Sequence, residues 1–373
     1  MVKNLIDQKF WNAKEKFYVY GLNRDGSQRT DQTILPAVPA FFGLTNNYLM
    51  RFVLDDYASN NFSTNWGVRI IGEDSPMFKP TGYHYGSVWP LFTGWTALAE
   101  YRYGNYIQGF SHIMNNMNVY RNWGLGYVEE VLNGAEYKPS GVCPHQCWSE
   151  TMVVQPIIEG MLGIEVDAQQ NILNFSPRLP ADWDYLTVKR IRLGDQEVNV
   201  SYKRDSTTLV WKFYRSGNQP VTTNMMLALP PKTRIGQVLL NGKEYPYATF
   251  TTSRFITLQL SFEITGTKTI TIEFDGGISV LPLAQYVSPG DQAGGLRIID
   301  ANIQRDHYII DVEGLAGTSD TISVWSYYPI SEPIDNASFL ERINFVTKYL
   351  VVFEAIEEKY KRESILLTLP TNY

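Results

Sequence analysis

The spacing of apolar residues changes near Asn171, and this change constrains the fold of the 373-residue chain more than any other feature. Before Asn171, apolar side chains recur every three or four residues, which is the spacing of one face of an α-helix. After it, short segments alternate between apolar and polar residues or run apolar at strand length, with turn sequences between them. We therefore expect a helical part followed by antiparallel β-sheets.

The first part is predicted to contain about six helices. Their segments are Leu5–Trp11, Thr33–Leu44, Asn46–Asn60, Ser87–Tyr103, Asn105–Tyr120 and Ser149–Leu162. Pro156 falls inside the last segment and is expected to kink or interrupt it, because proline cannot donate a backbone hydrogen bond. Long irregular stretches at 61–86 and 123–147 separate the helices. Loops of this length in a compact domain are usually functional.

The second part is predicted to form an antiparallel β-sandwich. Its first strands are expected at Val198–Lys203, Thr208–Tyr214, Met225–Leu229, Phe255–Leu260 and Thr269–Phe274, and a second set begins after Pro289-Gly290. Glu354–Arg362 is left open as a short helix. We divide the chain into a helical domain at 1–168, a sandwich at 169–284 and a second β segment at 285–373 that completes or extends the sandwich.

Composition excludes several classes of partner. The formal net charge is −6, so the basic footprint of a nucleic-acid-binding protein is missing. No apolar run approaches the roughly 18 residues of a membrane-spanning helix. The first residues lack the apolar core of a signal peptide, and we assign no cellular location. Two cysteines are too few for a disulfide scaffold.

Aromatic residues make up 14% of the chain, and five of its nine tryptophans lie between residues 60 and 150. They are expected either in a large aromatic core or in a cleft that binds sugars, whose apolar C–H faces fit flat rings with a polar edge. Both interpretations stay open on composition alone.

Three short motifs lie in the irregular stretches. Residues 82–90 read GYHYGSVWP, residues 126–134 read GYVEEVLNG, and residues 141–149 read GVCPHQCWS. Glu129 and Glu130 are adjacent, so in an extended segment they point in opposite directions. At most one of the two is therefore expected to face a cleft.

The cluster Cys143, His145 and Cys147 offers three possible zinc ligands within five residues. A closed zinc site needs a fourth ligand, and this spacing is not that of a zinc ribbon or finger. We therefore predict no metal and no cofactor. The sequence also lacks a GxSxG nucleophile motif and a phosphate-binding Walker loop.

The motifs resemble those of the amylo-α-1,6-glucosidase, or glycogen-debranching-like, family of α/α-barrel glycoside hydrolases. Residues 83–90 resemble its YHxGTVWP motif, 130–134 its E-[IV]-[FL]-[DN]-G segment, and 141–149 its G-C-x-x-Q-x-W-S stretch. The resemblance covers about residues 30–165. Residues 174–183 also resemble the junction into the sandwich that follows the barrel in related bacterial glycosidases.

This resemblance implies inverting hydrolysis of α-glucosidic bonds in an α-glucan or a related oligosaccharide. Glu130 matches the catalytic general base, so we expect it to face the cleft and Glu129 to face solvent. Tyr83, His84, Trp89, Gln146 and Trp148 match motif positions that line the pocket. From the residues alone we add Trp66 and Arg69, because their loop precedes the first motif.

The chain departs from the family pattern in one respect. A complete barrel of this type has twelve helices, and its general acid lies in the earlier half. Six helices imply a partial (α/α)6 toroid-type barrel, the C-terminal part of a larger enzyme. The isolated chain is expected to be inactive because the general acid is absent, and a partner chain or self-association is expected to cover the incomplete barrel. Glu73 and Asp74 are nearby carboxylates, but their surroundings read as an ordinary acidic turn.

Two other functions stay open. A non-catalytic carbohydrate-binding module would also use aromatic loops and a sandwich, and it would need no acid. A disaccharide phosphorylase uses phosphate in place of a base-activated water, so a carboxylate at Glu130 argues against it.

Overall fold

The structure is a computed structural model that describes residues 2–330 and 336–370. Within them lie six α-helices, α1 Val2–Phe10, α2 Ala37–Phe41, α3 Asn47–Ala58, α4 Pro90–Tyr103, α5 Tyr106–Val119 and α6 Cys147–Gln155. The predicted number of helices is confirmed for this part of the chain. Helix α2 begins later than predicted because Thr33 forms a β-bridge with Ile71 and the backbone N–H of Ile34 donates to Ile70 O (3.0 Å).

The predicted interruption at Pro156 is also confirmed. The α-helical hydrogen bonding of α6 ends at Gln155, and Pro156–Met161 continues as a π-helical turn. Proline has no N–H to donate, and wider turns of this kind accommodate such a gap.

Helix α4 lies at the centre of the helical layer, and it has buried residues on all its faces. Gly104, at φ +86°, ends it in the left-handed conformation, so that α5 begins two residues later. Gly94 lets α6 approach closely, since a Cβ there would lie 2.4 Å from the Cβ of Met152. In the described residues no helix is long and apolar enough to cross a membrane.

Two short hairpins lie in the helical part, β1 Trp11–Asn12 with β2 Phe17–Tyr18, and β3 Ser63–Thr64 with β4 Gly67–Val68. The next strands are β5 Ile164–Asp167, β6 Ile172–Phe175, β7 Tyr185–Leu193, β8 Gln196–Arg204, β9 Thr208–Ser216, β10 Val221–Leu229, β11 Thr233–Leu240, β12 Lys243–Glu244, β13 Ala248–Thr251, β14 Ile256–Ile264 and β15 Thr267–Gly276. They form a five-stranded sheet (β13-β14-β10-β6-β5) and a six-stranded sheet (β12-β11-β15-β9-β8-β7). Only β6 and β10 pair in parallel among them.

The remaining strands form a four-stranded sheet (β16-β19-β21-β20) and a three-stranded sheet (β17-β18-β22). They are β16 Ile278–Val280, β17 Arg297–Gln304, β18 His307–Leu315, β19 Thr318–Ser326, β20 Ala337–Ile343, β21 Val346–Phe353 and β22 Tyr360–Thr368. The segment Glu354–Arg362, which the sequence leaves open as a short helix, is not helical. Tyr360 already pairs with Leu315 at the start of β22.

The helical layer and the first two sheets share one apolar core. Tyr101 of α4 and Phe110 of α5 belong to the same buried cluster as Phe175 and Trp211 of the sheets. The last two sheets enclose a separate cluster that includes Ile310 and Val324. We call the five- and six-stranded sheets the first sandwich, and the four- and three-stranded sheets the second sandwich. The prediction of a β-rich second part packed on the helices is confirmed, while the domain boundaries at 168 and 284 stay predictions.

Candidate active site

The first two motifs lie side by side although residues 91–125 separate them in sequence. The N–H groups of Val88 and Leu132 each donate to the other residue's carbonyl oxygen, at 2.9 Å. At Gly134 an added Cβ would lie 1.9 Å from Gly86 O, so only glycine permits this approach. The two loops therefore form one continuous surface.

Trp66 and Arg69 lie beneath this surface, and both side chains have no exposed area. The indole Nε1 of Trp66 donates to Asn133 O (2.8 Å), and Nε of Arg69 donates to Gly134 O (2.6 Å). These bonds satisfy backbone carbonyls of the second motif. The expectation that both residues line a pocket does not fit this burial, and we treat them as supports of the loop.

Glu130 lies where the three motifs meet, and it is 6% exposed. The hydroxyl of Tyr83 donates to Glu130 Oε1 at 2.7 Å, and the N–H of Glu130 donates to Cys143 O at 2.9 Å. Desolvation and the hydrogen bond to Glu130 raise the pKa of Tyr83 to about 12. Tyr83 therefore remains a hydrogen-bond donor to this carboxylate throughout the physiological pH range.

An aromatic cluster adjoins this carboxylate. The Tyr83 ring lies 4.6 Å from His84 and 4.5 Å from Trp89, and His84 stacks on Trp89 at 5.6 Å. Tyr83 is 36% exposed and His84 is also exposed, whereas Trp89 is 5% exposed and donates from Nε1 to Tyr83 O. Tyr83 and His84 are therefore accessible to a ligand, and Trp89 supports them from behind.

The third motif joins the site through the backbone. The N–H of Gln146 donates to Val128 O (3.1 Å), and α6 then places Trp148 in its first turn with 42% of its side chain exposed. The rings of Tyr127 and His145 lie 4.2 Å apart. Neither Tyr127 nor His145 was selected from the sequence, although both lie within the motifs, because only the fold brings them together.

Glu129 lies on the inner side of the loop, and the expectation that it faces solvent is wrong. It is 2% exposed, and its Oε2 has no hydrogen-bond partner among the described residues. Its neighbours Val128 and Val131 are also buried. Adjacent side chains of an extended segment do point to opposite sides. Since the loop is covered on both sides, however, neither carboxylate is exposed to bulk water.

The stability of the protein should depend on the protonation of Glu129. Burial raises the pKa of Glu129 to about 7, above the value of about 4.3 for an exposed glutamate. Between these values the folded state keeps a proton that the unfolded chain releases, so the free energy of unfolding falls as pH rises, by up to about 1.4 kcal/mol per pH unit. Glu129→Gln should remove this dependence, and urea unfolding at pH 5 to 8 measures it. Parallel pH profiles for Glu129→Gln, wild type and the exposed control Glu165→Gln would contradict the assignment.

Glu73, the other carboxylate near the first motif, is bound to the second sandwich. Tyr360 donates to its Oε2 (2.9 Å), and Lys359 and Arg69 contact the same carboxylate. Burial opposes ionisation here, but the hydrogen bond from Lys359 and the charges of Lys359 and Arg69 lower the pKa of Glu73. A carboxylate held ionised in this way is unsuited to donate a proton as a general acid.

The cysteines of the third motif form no metal cluster in the described structure. Cys143 donates its thiol to His145 O (3.1 Å), and His145 Nε2 lies 3.0 Å from Glu150 Oε1. Within residues 2–330 and 336–370, no group of three or more His, Cys, Asp or Glu side chains is arranged to hold a metal ion.

No protein-family model and no curated protein matches this chain. Among solved structures it is similar to an alpha-L-rhamnosidase from Dictyoglumus thermophilum, with 13% identity and a TM-score of 0.45 over 73% of this chain and 27% of that one. It is also similar to a GH63 mannosylglycerate hydrolase from Thermus thermophilus in complex with glucose, with 15% identity and a TM-score of 0.34 over 40% of this chain and 36% of that one.

A third similar structure is a GH127 beta-L-arabinofuranosidase from Geobacillus Stearothermophilus T6, with 9% identity and a TM-score of 0.34 over 90% of this chain and 56% of that one. All three named neighbours are glycoside hydrolases. The chain spans about a third of the length of the first solved structures that it matches.

Proposed function

We propose that this chain carries the base-bearing half of a glycoside hydrolase site, with Glu130 as the general base. The observation that carries the proposal is the position of Glu130 at the junction of three motifs, with one oxygen held by Tyr83 and with exposed Tyr83 and His84 beside it. A fixed donor on one oxygen orients the carboxylate, and flat rings suit the apolar faces of a sugar.

In this site Glu130 takes a proton from a water molecule as that water attacks the anomeric carbon. Inversion requires a second carboxyl group, roughly 6.5–9.5 Å away, to protonate the leaving oxygen. Glu129 lies on the covered side of the loop, and Glu73 is bound to Lys359 and Tyr360. We therefore propose that the general acid comes from a segment outside these 373 residues, and that an α-glucan or related oligosaccharide is the substrate.

We also propose that the helical layer is half of an (α/α)6 barrel, and that a partner chain or a second copy of this chain supplies the other half. Apolar side chains near the site are exposed, namely Leu125, Val142, Trp148, Val154 and Ile158. Contiguous exposed apolar groups usually mark an interface.

Assembly should therefore depend on the exposed apolar residues of the last helix. Val154 lies on α6 and is 55% exposed, so Val154→Glu should weaken assembly while leaving the monomer folded. Val352→Glu, at a 48% exposed position on β21, is the matched control and should have no effect. Sedimentation velocity over a range of concentrations, with and without the proposed partner, measures the difference. Equal association of the two variants would contradict this interface.

A carbohydrate-binding module is the second candidate function. It is favoured by an open groove of about 680 Å³ between the two sandwiches, lined by Phe274, Phe345, Asp182 and Lys348 among others. Aromatic rings with nearby charged groups suit an oligosaccharide, and the volume lies in the range of small-molecule sites.

A structure soaked with maltotetraose separates the two functions. The hydrolase proposal expects a sugar ring against Tyr83 and His84, with a hydroxyl or a water within hydrogen-bond reach of Glu130. A sugar in the sandwich groove alone, with the Glu130 surface empty, would contradict the hydrolase proposal and support the binding module.

A further inference from the structure

A small cavity of about 60 Å³ lies at the junction of the helical layer and both sandwiches, away from Glu130. The amino end of α5 lines it from one side, through Asn105 to Gln108. Arg178 and Arg254 line it from the first sandwich, and Asp300 lines it from β17. The helical layer, the five-stranded sheet and both sheets of the second sandwich therefore contribute to this cavity.

The first turn of α5 presents uncapped backbone donors to the cavity. The first N–H groups of a helix have no partner within the helix. In the described structure no side chain caps this end of α5, and its first turn contains no acidic residue. Such a helix end carries a partial positive charge and attracts anions.

Asn105 supplies an independent indication of a ligand. It is 3% exposed, and its Nδ2 has no hydrogen-bond partner among the described residues. Its Oδ1 accepts a hydrogen bond from Arg254 Nη1 at 2.7 Å. Because a guanidinium can only donate, this bond fixes the orientation of the amide and leaves the NH₂ group without an acceptor. A buried donor in this state is costly unless something accepts from it.

The described charged side chains that line the cavity are two arginines and one aspartate, so hydrogen-bond donors outnumber acceptors among them. Among the described residues, Asp300 is the one carboxylate that lines it. It forms an ion pair with Arg254 at 2.9 Å and accepts hydrogen bonds from the N–H of Ala301 and from Asn302. Arg178 adds a second guanidinium, which lies 5.5 Å from the Tyr106 ring. Unused donors of helix α5 and of Asn105 therefore converge on one small space that two guanidinium groups also line. Arg254 is paired with Asp300, and Arg178 Nη1 donates to Gly160 O (2.9 Å).

We propose that this cavity binds a small oxyanion of phosphate or sulfate size. The anion would accept hydrogen bonds from the first amides of α5 and from Asn105 Nδ2, with Arg178 and Arg254 balancing its charge. Since the ligands come from the helical layer and the first sandwich, with β17 of the second sandwich alongside, a bound anion would fix how these layers pack. This inference is independent of the proposed hydrolase site, because it involves none of its residues.

Inorganic phosphate is the probe, and its binding is measured by isothermal titration calorimetry at pH 7 and constant ionic strength. Wild type should show saturable binding of one phosphate. Asn105→Asp keeps the oxygen that accepts from Arg254 but replaces the free donor with a negative charge, so it should bind phosphate at least tenfold more weakly. The control Asn241→Asp makes the same charge change at an exposed turn and should bind like wild type.

Glucose 6-phosphate distinguishes a free anion from a phosphorylated sugar. It should bind at least tenfold more weakly than phosphate, because its ester oxygen removes one charged acceptor from the anion and its sugar adds bulk to a space of about 60 Å³. Equal affinity for the two would overturn the assignment to a free anion.

Three results would overturn the site itself. They are the absence of saturable phosphate binding by wild type, equal affinity of wild type and Asn105→Asp, and a titration signal that chloride reproduces at the same ionic strength. If circular dichroism shows that Asn105→Asp does not fold, a wild-type crystal soaked in selenate tests the site instead. An anomalous peak at the start of α5 supports the proposal, and its absence there contradicts it.

Discussion

Glu130→Gln should lower turnover by about 10²- to 10⁴-fold, which is the usual contribution of a positioned general base. The substitution keeps the size of the side chain and an oxygen that accepts from the Tyr83 hydroxyl, so the folded structure should persist. The assay uses the assembly in which the proposed partner segment supplies the general acid. Turnover of an α-glucoside and thermal unfolding of the same preparation are the two measurements.

Glu129→Gln is the matched control for this prediction. The residue is adjacent in sequence and equally buried, but it lies on the inner side of the loop, so its replacement should change turnover far less. Equal losses from the two substitutions would remove the assignment of Glu130. A loss from Glu130→Gln that is accompanied by unfolding would show a structural role instead.

The contact between the first two motifs should be the most sensitive point of the site to a single added methyl group. At Gly134 the new Cβ would lie 1.9 Å from the backbone oxygen of Gly86, and a backbone atom cannot move aside as a flexible side chain can. Overpacking of this kind costs up to about 3 kcal/mol. We expect Gly134→Ala to lower the free energy of unfolding by about that amount, and to reduce turnover by separating Tyr83 from Glu130.

Gly266→Ala provides the comparison, because an added Cβ there meets no atom within 4 Å and the backbone does not adopt a positive φ. It should be nearly neutral in urea unfolding. If Gly134→Ala is as stable and as active as Gly266→Ala, the two motif loops do not form the close surface described here.

The periodicity of apolar residues predicted the helices whose ends are set by neighbouring sequence. The helices α3, α4 and α5 lie within a few residues of their predicted ends, and Pro156 interrupts the last helix as expected. Helix α2 is shorter than predicted, and the charged segment Glu354–Arg362, which the sequence leaves open as a short helix, is not helical. From Tyr360 onward this segment is a strand, because Tyr360 pairs with Leu315. The local spacing of residues cannot indicate a pairing partner that lies about forty residues away.

The site was predicted less completely, because exposure is a property of the tertiary structure. The motifs correctly indicated which loops carry polar and aromatic groups, and the fold does bring Tyr83 to Glu130. The sequence could not show that Trp66 and Arg69 lie beneath these loops, or that Glu129 is covered. A Trp or an Arg in a loop has the same local pattern whether it meets a ligand or supports a backbone carbonyl.

Chemical rescue by azide tests the role of Glu130 most directly. In Glu130→Ala the space of the carboxylate becomes available to a small anion that needs no base to attack the anomeric carbon. Proton NMR of the products from an α-glucoside should show azide-dependent turnover that forms a β-glucosyl azide, because the nucleophile enters from the face opposite the leaving group. The experiment uses the assembly in which the proposed partner segment supplies the general acid. There, an absence of rescue, or an azide of α configuration, would contradict Glu130 as the group that activates water on that face.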